Sequence, residues 1–127
     1  MKPHPVILAL SVFLAILAAG IAEQITIVHI YREMLTQAEI VQEEVETDVS
    51  SAMPSAEKLK EQWLKDRSFL EAVTPHNETK EMVLRIAELI GYIQAKDDKS
   101  ATATAAIIVE MCKNTPHILG FHWEHVF

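Results

Sequence analysis

Cys112, His117, His122, Glu124 and His125 fall within fourteen residues of one another. Thiolate and imidazole are soft to borderline metal ligands, so Cys112, His117, His122 and His125 form the candidate metal-binding set. His122 and His125 stand three apart and would share a face of a helix. The spacing matches no standard zinc signature, and Pro116 and Gly120 interrupt the segment that would present the ligands. Phe121, Trp123, Val126 and Phe127 read as residues that pack a tail against the rest of the chain. The preferred reading is a structural tail, with metal binding as the alternative and no resident cofactor expected.

Other chemistry is sparse. His76 has no sequence-adjacent nucleophile or carboxylate pair, and reads as a capping or turn residue. The sequence has no G-x-S-x-G and no glycine-rich loop to hold phosphate. Cys112 falls on an apolar helical face, where thiols are usually inert. The sequence Asn77-Glu78-Thr79 fits a glycosylation sequon but sits in the first turn of an expected helix, and reads as structural. Enzymatic activity is not expected.

The elements that would position these residues follow from charge and periodicity. Between Lys2 and Glu23 lie twenty residues without a formal charge, including an unbroken apolar run from Val6 to Ala22. As a helix rising about 1.5 Å per residue, twenty residues span about 30 Å, the thickness of a bilayer's hydrocarbon core. Ala18, Gly20 and Ala22 could also serve a signal peptidase, but the run exceeds a usual signal core and ITIVHIYREML continues it without turn residues. Residues 1–22 are therefore expected to be a retained signal-anchor that meets the bilayer through residues 6–22. Lys2 favours a cytoplasmic N-terminus and an extracytoplasmic remainder. That remainder carries ten bases against eighteen acids. Such a balance repels phosphate backbones, so no nucleic-acid partner is expected. A lone cysteine excludes an internal disulfide.

Beyond the anchor the pattern is helical throughout. A long emerging helix over 23–50 carries Ile25, Val28, Tyr31, Leu35, Ala38, Val41 or Gln42, Val45 and Val49 on one face, with Glu33, Glu39, Glu43, Glu44 and Glu46 on its wet side. SSAMPS breaks it, and a second helix from Pro54 to about Val73 places Ala56, Leu59, Trp63, Leu70 and Val73 on its stripe. Trp63 is expected to be a core anchor. After Thr74 and Pro75, a third helix carries Thr79, Met82, Ile86, Leu89 and Ile93, a seam that needs a partner helix. AKDDKS turns into a fourth helix, capped by Asp98 or Ser100, with Ala101, Ala105, Ile108, Met111 and Cys112 on its apolar side. That helix is expected to end at Asn114–Pro116. Short joints imply antiparallel neighbours. The expected fold is all-α, with three to four antiparallel helices outside the membrane: an anchor over 1–22, a long emerging helix over 23–50 that either packs into the bundle or stands alone as a stalk, and a helical hairpin or bundle with a C-terminal tail over 51–127.

The N-terminal span, the long emerging helix, Trp63, His76 followed by Glu78, the turn Lys96-Asp97-Asp98 and the Ala-rich last helix together resemble the membrane proteins catalogued as domain of unknown function 4363. The resemblance covers nearly the whole chain. It implies a bacterial envelope protein with a short helical exterior and assigns no activity. Two roles fit: a membrane-tethered module that docks an envelope partner or a second copy, using Met82, Ile86, Leu89 and Ile93, or a bundle that binds a small ligand or metal.

Overall fold

In a computed structural model, residues 4–73 and 76–126 are described, the side chains of His76 and of residues 115–126 excepted. The described chain is all-α. The first helix, α1, runs unbroken over His4–Thr47. At 44 residues it is about 66 Å long. Its first half is long and apolar enough to cross a membrane, and none of it is buried among the described residues. Burial begins at Ile27, from which point α1 is the first helix of a four-helix bundle.

Asp48 turns the corner. Its backbone is extended, its carboxylate accepts from the Ser50 N–H at 3.1 Å, and its carbonyl accepts from the Ser51 N–H at 3.0 Å. A short 3-10 turn, Val49–Ala52, leads directly into α2, Met53–Val73. Two contacts fix the α1–α2 pairing as antiparallel. The Gln37 side-chain amide donates to the Ser55 carbonyl at 2.9 Å, and Tyr31 meets Trp63 edge-on with ring centres 6.1 Å apart. Moving from Gln37 down to Tyr31 on α1 thus moves from Ser55 up to Trp63 on α2. Gln37 is buried, and satisfying its amide across the interface avoids a desolvation penalty of about 1–3 kcal/mol.

The third helix, α3 (His76–Gln94), carries the cleanest seam: Thr79, Met82, Ile86, Leu89 and Ile93 are all buried. It ends in a Schellman arrangement. The Asp97 N–H reaches the Tyr92 carbonyl at 2.9 Å, the Lys96 N–H reaches Ile93 at 3.1 Å, and Lys96 itself adopts a left-handed backbone with φ of 57°. The same Asp97 then starts α4 (Asp98–Val126), its carboxylate accepting from the Ser100 N–H at 3.2 Å. Asp97, rather than Asp98 or Ser100, is therefore the cap. Hydrogen bonding from the Ser100 side chain, and then from its backbone N–H, holds the Asp97 carboxyl below the usual value.

Consecutive helices pack on one another and α4 closes the ring against α1, giving an up-down-up-down bundle with one apolar core. Two expectations need correction. On α1, Ile25 points outward at 64 % exposure, while Ile27, Ile30, Met34 and Gln37 are buried. The sequence ITIVHI is apolar on every side, and packing against α2 and α4 selects the face. The fourth helix does not stop at Asn114–Pro116 but continues to Val126. A proline removes one N–H from the ladder, which need not end a helix held by its neighbours.

Candidate functional site

The seam expected to meet a partner, Met82, Ile86, Leu89 and Ile93, is 1–3 % exposed and belongs to the core of its own chain. Its coverage comes from helices within the bundle, so it offers no outer docking face. This corrects the expectation that it would be incompletely covered: each of the other three helices contributes apolar residues to the same core.

Of the metal set, His117, His122 and His125 have side chains outside the described residues. Cys112 is described. It is 2 % exposed on the buried face of α4, and burial pushes its thiol up to about 12. With no metal beside it such a thiol stays protonated near neutral pH and is a poor nucleophile. Among the described residues no three His, Cys, Asp or Glu side chains gather as metal ligands would.

Several clefts lie on the bundle, and two of them have largely apolar linings. Between α3 and α4 lies an open cleft of about 520 Å³, floored by Tyr31, Met82, Ile107 and Met111 and edged by Glu78, Glu81 and Glu110. Glu81 also accepts from Arg85 at 3.3 Å, and Glu110 stands 3.9 Å from Lys113. These are exposed pairs that contribute little to stability. The cleft pairs a soft, methionine-containing floor with an acidic rim, a combination suited to a cationic amphipathic partner. The periodicity found Met82 and Met111 as core residues. The rim needed the α3–α4 register, which no sequence spacing supplies.

The second cleft, about 250 Å³, lies between α2 and α3 over Trp63, Ile86 and Ile90, with Lys60 at its edge. Trp63 is 1 % exposed and its indole N–H is buried without a hydrogen-bond partner among the described residues. It therefore acts as an apolar anchor, as expected from its place on the stripe.

The bare apolar half of α1 and the single core define a class: a small helical bundle carried on the end of one long helix able to span a membrane. The family model described as Domain of unknown function (DUF4363) matches residues 22–126, and the chain belongs to that family. The match begins where the uncovered stretch of α1 ends. No curated protein and no solved structure matches the chain.

Proposed function

We propose that the protein is a membrane-anchored, extracytoplasmic helical module of the cell envelope, whose role is to hold a partner-binding bundle against the bilayer. One observation carries this reading: the same unbroken helix is bare and apolar over its first half and forms a wall of the bundle over its second. A helix that is apolar all round and uncovered by its own chain calls for a lipid surround. Lys2 ahead of the span favours a cytoplasmic N-terminus.

The role proposed is structural or partner-binding rather than catalytic. The acidic α3–α4 cleft, in place of the buried seam, is the surface offered to an envelope partner. A second reading draws on the same cleft, whose volume lies within the range of small-ligand sites. In that case the module is a ligand-binding bundle. The acid-rich exterior disfavours nucleic acid in either case.

The test is the intact mass of the protein recovered from washed membranes of its native host. The expected result is a mass that includes residues 1–22, in a fraction resistant to salt and alkali. A mass beginning near Glu23, in the soluble exported fraction, overturns the anchor.

A further inference from the structure

The α2–α3 cleft differs from its acidic neighbour in charge. Its volume is about 250 Å³, and Lys60 is the one charged residue in its lining, with no carboxylate beside it. Lys60 makes no ion pair among the described residues. In an exterior with ten bases against eighteen acids, an acid-free cleft that holds an unpaired ammonium favours an anion. The cleft also has a direction. Because α2 and α3 are antiparallel neighbours, Lys60 and Gln94 lie toward the Lys96 turn, and Leu64 and Val83 lie toward the α2–α3 joint. One end is polar and the other is apolar.

Two features of the lining are not explained by packing within the chain. Gly91 stands inside α3 without a positive φ, and a Cβ built there would meet nothing within 4 Å. Neither the backbone nor a close neighbour requires glycine, which weakens a helix interior relative to alanine. What its missing side chain leaves open is the cleft. The second feature is Trp63, which is buried in the wall with its indole N–H lacking an acceptor among the described residues. Buried donors are rarely left unpaired, and an orphan in the wall of a cleft points to an acceptor that a ligand supplies. Leu64, at the mouth, is 45 % exposed and offers apolar surface to the same occupant.

We propose that the α2–α3 cleft binds a single-chain amphipathic anion, an acyl chain ending in one carboxylate. The carboxylate lies toward Lys60 and Gln94, and the chain runs along Ile86 and Leu64 toward Val83. One cation and one amide match a monoanion, whereas a phosphate calls for several donors. The site stands on the bundle alone and does not depend on what surrounds the first half of α1.

The test uses the full chain in dodecyl maltoside, with Trp123→Phe in every protein so that Trp63 is the sole tryptophan. The probe is decanoate brominated in mid-chain, whose bromine quenches an indole on contact. Trp63 emission should fall to a plateau as the probe is added. Gly91→Leu should abolish the fall, because a helical side chain leans toward the preceding turn and here covers Ala87 of the same lining. Its melting temperature should be at least that of the parent, since leucine is the better helix former. Lys60→Glu, at an exposed position, should raise the half-quenching concentration about tenfold at low salt. No quenching in the parent, quenching that never saturates, or quenching unchanged in Gly91→Leu or Lys60→Glu overturns the proposal. So does equal quenching by the matching bromodecanol, which lacks the charge.

Discussion

The two halves of α1 have the same backbone and opposite surroundings. From His4 to about Ala22 the helix is apolar on all sides, and among the described residues nothing buries it. From Ile27 to Val45 it buries one face against α2 and α4 and turns Glu33, Glu39, Glu43 and Glu46 to water. The difference teaches that hydrophobicity alone does not identify a core: the more apolar half is the one outside it. What makes the second half a bundle helix is asymmetry around its axis, supported by the Gln37–Ser55 hydrogen bond and the Tyr31–Trp63 edge contact.

The largest effect that could break this comparison comes from placing charge in the bare half. Leu10→Lys with Leu14→Lys should cost about 5–7 kcal/mol of membrane insertion at roughly 2.5–3.5 per site. The protein should leave the alkali-resistant membrane fraction, while the melting temperature of its bundle stays unchanged by circular dichroism.

Ile25 and Ile27 sharpen the boundary between the halves. Ile27→Ala should destabilise the bundle by about 2–5 kcal/mol in urea unfolding, because Ile27 is 1 % exposed. Ile25→Ala should change stability by no more than about 0.5 kcal/mol. Equal losses at the two positions would mean that the bundle begins lower on α1 than Ile27.

Smaller effects are expected at the far turn, where the bundle closes without help from a membrane. Lys96 occupies a left-handed backbone position that costs a side-chain-bearing residue about 1 kcal/mol. Lys96→Gly should raise stability by up to that amount, read from the urea midpoint.

Asp97→Ala should lower the melting temperature by less than Ile27→Ala does. The Asp97 carboxyl titrates below its ordinary value of 3.8 in the folded chain, so its stabilisation is present above that pH and is lost as pH falls through the lower, folded value. The gap in melting temperature between wild type and variant should therefore be flat near neutrality and close in strong acid. A gap that persists there would mean that the charge on Asp97 does not matter to the turn.

How far the sequence could be read follows the same contrast. The stripes of α2 and α3 were legible residue by residue, because Ala56, Leu59, Trp63 and Leu70, and Thr79 through Ile93, recur at helical spacing, although Leu64, Phe69 and Leu84 stand exposed outside them. Around Ile25–Ile30 the sequence is apolar all round, and only the neighbours α2 and α4 decide which side turns in. Thr104 and Val109 of α4 were missed because alanine and threonine carry weak signals on both faces. The turn offered several plausible caps in Asp97, Asp98 and Ser100, and a left-handed lysine where glycine is usual has no composition cue.

The candidate site was less legible than the fold. Periodicity identified the α3 seam as a surface needing cover but not where the cover came from, and the bundle itself supplies it. The acidic rim formed by Glu78, Glu81 and Glu110 exists only once α3 and α4 are set side by side.

Because α1 crosses from its bare half to its packed half with no proline and no turn, it behaves as a driveshaft. Any twist or tilt imposed on the lower half is delivered to the bundle without slack. One residue inserted between Glu23 and Thr26 would turn the bundle by about 100° relative to the lower half and lift it by about 1.5 Å. The compass bearing of the acidic cleft around the axis of α1, relative to the bare half, is thus set by the residue count of a single helix.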